Sequence, residues 1–137
     1  MTCEGVTLLV VSATMICSVA AAQTKPCAPT THAKLPVITD KTYHEARKAL
    51  LQNGWQPLQT KSWNTAKSDP DIASFNGQVF WSRGYVEVEA CAGTGISACA
   101  FLFSDAYGNR LRVTTAGMES PKDKAIASVT GYQFTCD

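Results

Sequence analysis

The chain has 137 residues, 45% hydrophobic and 17% charged, with 12 basic against 11 acidic side chains and a net charge of +1. That near-balance implies no polyanion partner, and without a Lys/Arg block or an RNA-binding aromatic signature it excludes nucleic acid as an expected ligand. The length suits one small domain.

The first 22 residues, MTCEGVTLLVVSATMICSVAAA, hold an uncharged apolar run from Val6 to Val19 that ends in Ala20-Ala21-Ala22. This pattern predicts a signal peptide over residues 1–22, although the segment before the run carries Glu4 and no Lys or Arg. The run is short for a bilayer span of ~20 residues, so no membrane span is expected after cleavage. Cleavage removes Cys3 and Cys17 and leaves Cys27, Cys91, Cys99 and Cys136. An even count in a small exported domain reads as a disulfide framework, with three connectivities open.

Residues 23–38, QTKPCAPTTHAKLPVI, are rich in Pro, Thr and Ala and predict a loose leader ahead of a single domain over 39–137. Thr42-Tyr43-His44-Glu45 then fits a capping box. Tyr43, Ala46, Ala49 and Leu50 recur at helical spacing, and Asn53-Gly54 supplies a stop, so a helix is expected over about 42–53. Trp55-Gln56-Pro57-Leu58 reads as a short strand at a sheet edge, because Pro57 has no amide to donate. Residues 61–77, with Asp69-Pro70-Asp71 and Asn76-Gly77, read as a long loop of the kind that often carries function.

The second half alternates. Tyr85-Val86-Glu87-Val88-Glu89 places the valines on one face and both glutamates on the other. Residues 98–104 carry Phe101 and Phe103 on one face, residues 107–109 make a turn, and 111–115 return with Leu111 and Val113 inward. Residues 128–136 suit a last strand. The expected fold is α+β: one N-terminal helix packed on a meander of four to five antiparallel strands, two-layered and stabilised by disulfides.

Cys91 and Cys99 flank Gly93-Thr94-Gly95. A zinc site needs closer ligands and a second pair, a redox pair needs Cys-x-x-Cys, and a phosphate loop needs Gly-Lys-Ser/Thr. A hairpin staple remains. Unbroken alternation would put Cys91 with Glu87 and Glu89, and Cys99 with the phenylalanines, so an irregularity is expected at Ala90. Cys27 and Cys136 would then pair by elimination.

His44-Glu45 lacks the second His of a metalloprotease helix, Lys48 standing in its place, and His44 reads as a solvated helix residue. Glu87 and Glu89 read as solvated surface carboxylates, and a hydrolase using them is a distant alternative. No nucleophile–base–orienter set, metal ligands or cofactor motif emerges, so the expectation is a non-enzyme without cofactor. Trp63, Phe75, Phe80, Trp81 and Tyr85 crowd the loop and the strand expected after it, with Arg83 among them. These aromatics read either as anchors that hold the long loop over one side of the sheet or as a binding surface. Trp, Tyr and Arg are the residue types enriched at binding hot spots, so on the second reading Trp63, Trp81, Arg83 and Tyr85 are the candidate binding residues.

Pro36-Val37-Ile38 with Ala46, Leu50 and Gly54-Trp55 resembles the opening of a PASTA domain over residues 36–58, with Asp40 where that family commonly has Gly. That resemblance implies binding of cell-wall muropeptides. Gly54-Trp55-Gln56-Pro57, then GYVEVEACAGTG over 84–95 and Cys99-Ala100-Phe101, resembles a group of small exported bacterial proteins of unknown function, which often have Pro where Val86 stands. It implies envelope residence and a 91–99 disulfide, and assigns no activity. The expected role is a periplasmic or secreted binding protein of inhibitor, immunity or accessory type with a protein of the cell envelope as partner; peptidoglycan fragments are the alternative ligand.

Overall fold

The computed structural model describes residues 28–73 and 75–136. The expected signal peptide over 1–22 and Cys27 lie outside them. The elements in chain order are α1 (Tyr43–Gln52), β1 (Gln56–Pro57), α2 (Trp63–Ala66), α3 (Phe75–Ser82), β2 (Val88–Cys91), β3 (Cys99–Ser104), β4 (Arg110–Ala116) and β5 (Ser128–Thr135). The fold is α+β, with helices packed on a five-stranded antiparallel sheet.

Helix α1 starts where its capping box sits: Thr42 Oγ1 accepts from the Glu45 amide, and the Glu45 carboxylate accepts from the Thr42 amide. It buries Tyr43, Ala46 and Leu50 of the expected stripe, and Ala49, the fourth member, packs partly buried against the core. Gly54 follows the C-cap with φ +91°, a conformation that favours glycine.

Strands β3, β4 and β5 form the meander. β1 pairs Gln56 with Ser104 and β2 pairs Val88 with Phe101, so both lie end to end along the edge of β3 that β4 leaves open. Pro57 sits in that marginal strand, where a missing amide costs least. The inward face of the sheet carries Phe101, Phe103, Leu111, Val113 and Val129, all essentially inaccessible.

Tyr43 stacks on Phe101 with ring centroids 3.7 Å apart, and Phe80 meets Phe101 edge-on at 4.9 Å. Helices α1 and α3 therefore cover the same face of the sheet, and this aromatic trio is where the two layers lock together.

Several expectations change. The loop over 61–77 contains α2 and the start of α3, and residues 75–82 are helical instead of leading into a strand. Asn76-Gly77 reads as a turn because its letters favour turns, yet Gly77 is helical and packs against the backbone of Ile72.

The alternating run from Tyr85 enters the sheet only at Val88. The chain leaves α3 through Gly84 at φ +81° and turns again as the Val88 amide bonds the Tyr85 carbonyl, which carries Glu87 inward. Glu87 is fully buried, where a solvated position was expected. Glu89 is part-exposed and gripped by Arg112 through contacts of 2.7 and 2.8 Å.

The irregularity expected at Ala90 lies between Val88 and Ala90, making Glu89 the extra residue. That bulge resolves the parity conflict. Val88 faces inward with Phe101, and three residues later Cys91 faces inward with Cys99. Cys91 and Cys99 are disulfide-bonded directly across the β2–β3 pair, with Cα atoms 4.1 Å apart. Cys136 is also oxidised, and its expected partner Cys27 lies outside the described residues.

The leader is fastened over its described part. Ile38 is fully buried and Ala33 and Leu35 pack against the core. The Ala33 amide donates to Asp105, and Trp55 Nε1 donates to the Lys34 carbonyl at 3.1 Å.

Candidate functional site

Two buried carboxylates organise the space between α1, α3 and the β4–β5 connection. Glu87 Oε1 accepts from the Tyr43 hydroxyl at 2.7 Å and from Arg47 Nε, while Arg47 Nη2 reaches the second oxygen at 3.4 Å. Burial pushes the Tyr43 hydroxyl well above the ordinary phenol range, and the Glu87 charge adds to it. The Arg47 guanidinium also lies 4.3 Å over the Tyr85 ring, a cation–π contact.

Glu119 is 1% exposed, and it holds the second half of the network. Its Oε1 lies 2.7 Å from His44 Nε2 and 3.5 Å from Arg83 Nη1, while Oε2 accepts from the Ala127 amide at 2.9 Å. An ionised carboxylate only accepts, so His44 Nε2 carries the proton that faces it. In the neutral imidazole, Nδ1 then accepts from the Tyr85 hydroxyl, 2.8 Å away. His44 is therefore a buried-side connector of α1 and not the solvated residue expected from its position off the apolar stripe.

Asn76 fixes this corner from the first turn of α3. Its Oδ1 accepts from the Glu119 amide at 2.9 Å, and its Nδ2 donates to the Ser97 and Gly117 carbonyls at 3.0 and 2.9 Å. One 2% exposed side chain thus joins α3, the 92–98 loop and the end of β4.

On the outer side of α3, Phe75, Gln78, Val79, Ser82 and Arg83 face Pro121 across a groove of about 510 Å³. The volume falls in the range of ligand-binding clefts. Phe75 remains 56% exposed at one end, and the Arg83 side chain is 37% exposed at the other. Ile96 and Met118, 68% and 50% exposed, lie on the two segments that Asn76 ties to α3.

The sequence-derived candidates separate in space. Trp63 opens α2, and Trp81 is 3% exposed within the core, so Trp81 offers no surface to a partner. Arg83 and Tyr85 do converge, both on His44. Phe75 and Val79 at i and i+4, with Ser82 and Arg83 a turn further, form a helical stripe. The Asn76-Gly77 turn signal hid it. Glu119 and Pro121 carried no signal in the sequence, and the turn signal of Asn76 pointed elsewhere, because their roles depend on partners tens of residues away.

Among the described residues, no group of three or more His, Cys, Asp or Glu is placed to hold a metal ion. None of their helices is long and apolar enough to cross a membrane. With Glu87 and Glu119 sealed in ion pairs and Glu89 gripped by Arg112, these carboxylates suit holding the fold together. No protein-family model matches the chain, and no curated protein or solved structure matches it either.

Proposed function

We propose that this domain is a small non-enzymatic binding protein of the cell envelope, of inhibitor, immunity or accessory type, that takes a protein partner on the outer side of α3. The observation that carries this reading is the apolar groove between Phe75, Val79 and Pro121, with a large aromatic ring left exposed at its end. Exposed apolar side chains grouped in one place are costly unless a partner covers them. The buried network behind the groove supports the same reading, because it fixes α3 and the 117–119 segment on a rigid base, and rigid anchors lower the entropy lost on binding. Oxidised Cys91, Cys99 and Cys136 support an oxidising compartment, periplasmic or extracellular.

The test is capture from envelope extract on immobilised protein, comparing wild type with Phe75→Ser, Val79→Ser and a control on the far strand, Gln133→Ala. Loss of one partner in both groove variants and its retention in the control is the expected result. Identical capture by all four proteins would reject the groove as the binding surface.

A further inference from the structure

The groove sets apolar Phe75, Val79 and Pro121 beside polar Gln78 and Ser82 and the positive Arg83, and that combination names a ligand chemistry. Arg83 closes the groove, and the turn that contributes Pro121 also carries Lys122 and Lys124, both exposed. The acidic groups nearby are already engaged. Asp123 accepts from Ser120 Oγ at 2.6 Å, and Glu119 is buried with its Oε1 drawn to His44. The hold of Glu119 on Arg83 is the weaker of its two contacts, 3.5 Å against 2.7 Å for His44. A guanidinium has five N–H donors in a planar fork, and the contacts of Arg83 with Glu119 at 3.5 Å and with His44 Nε2 at 3.2 Å both run through Nη1, so Nε and Nη2 are placed to grip a second carboxylate.

We propose that the groove recognises a peptide segment presenting an aliphatic or aromatic side chain beside a free carboxylate, with the side chain on Phe75 and Val79 and the carboxylate on Arg83. This rests on the protein-binding reading above and adds the chemistry of the segment.

The experiment is a titration of ¹⁵N-labelled protein, followed by amide shifts, with N-acetyl-leucyl-phenylalanine, with its C-terminal amide, and with decanoate. The expected result is saturable shifts over residues 75–83 for the free acid, with affinity about tenfold above that of the amide, the worth of a charge-assisted contact. Arg83→Gln should remove the roughly tenfold preference for the acid over the amide, while Arg83→Lys should recover part of it. Melting temperatures of the variants close to wild type would show that the fold is retained.

Equal affinity for acid and amide, or no effect of Arg83→Gln, would overturn the carboxylate anchor while leaving the groove as a partner surface. No shift over residues 75–83 with either peptide would overturn the proposal as well. Decanoate binding there more tightly than the acid peptide would replace the peptide with a lipid anion. Failure of the underlying reading is seen separately, as partner capture unchanged by Phe75→Ser.

Discussion

Tyr43 donates its hydroxyl to Glu87 across 2.7 Å, although 44 residues separate them in the chain. Together with Arg47 they form a cluster in which a cation, an anion and a neutral donor satisfy one another. Removing one partner of such a set leaves the other uncompensated. Glu87→Gln should lower the unfolding free energy by about 2–4 kcal/mol, because Arg47 then faces a neutral amide. Tyr43→Phe should cost about 1–2 kcal/mol, since Arg47 still serves the carboxylate. Denaturant unfolding of both single variants and the double variant measures the coupling. A Glu87→Gln protein as stable as wild type would show that the cluster adds nothing.

Asn76 gives a sharper test, because it both donates and accepts. Asn76→Ala strands the Glu119 amide and the Ser97 and Gly117 carbonyls, and should cost roughly 2–4 kcal/mol. Asn76→Asp has almost the same shape but presents oxygen to two carbonyls, so it should fare no better. If the aspartate variant unfolded at the wild-type midpoint, the donor contacts would carry no weight.

Gly77 lies inside α3, where alanine is intrinsically better by about 1 kcal/mol. A Cβ there would land on the Ile72 carbonyl oxygen, with that residue's C and Cα at 2.9 Å. Gly77→Ala should therefore destabilise, by about 1–3 kcal/mol, against the propensity. Gly84→Ala meets open space but must hold φ +81°, so its loss of about 1 kcal/mol comes from the backbone alone. A gain in melting temperature for Gly77→Ala would contradict the close α3–Ile72 approach.

Cys91 and Cys99 close a loop whose cross-link contributes roughly 2.5 kcal/mol by chain-entropy arithmetic. The loop has other tethers. Ala98 accepts from the Ala92 amide, Ile96 accepts from the Gly117 amide, and Ser97 accepts from Asn76. In a Cys91→Ser variant, hydrogen exchange should accelerate at Ala92, beside the lost bond, and stay slow at Gly117. Unchanged exchange at both amides would mean that the disulfide adds no order to the loop.

Asp105 ties the leader to the β3–β4 turn, accepting from the amides of Ala33, Tyr107 and Asn109 and from Asn109 Nδ2. Burial works to raise its carboxyl, but the hydrogen bonds from Asn109, Ala33 and Tyr107 outweigh it and hold it below the ordinary Asp range. A depressed folded value means that this stabilisation is present above the unfolded pKa, about 4, and is lost as pH falls through the lower folded value. Asp105→Asn should flatten that part of the acid limb in a plot of unfolding free energy against pH. An acid limb identical to wild type would assign the loss to other carboxylates.

The sequence by itself determined what short-range chemistry encodes. The capping box at Thr42 and Glu45, the stripe of Tyr43, Ala46 and Leu50, the inward phenylalanines of β3 and the cysteine staple each depend on residues a few positions apart or on one regular period. Local rules read them correctly because the interactions themselves are local. Tertiary structure decided the rest. Asn76-Gly77 spells a turn in isolation, and only the approach of Ile72 makes it a tight helical contact. Glu87 belongs to an alternating run, yet the exit from α3 through Gly84 turns it inward, where Arg47 and Tyr43 make its burial tolerable. His44 and Glu119 stand 75 residues apart, and neither implies the other until α1 and the β4–β5 connection meet. A buried charge is stable only beside its partner, and which partner arrives depends on how the whole chain is routed.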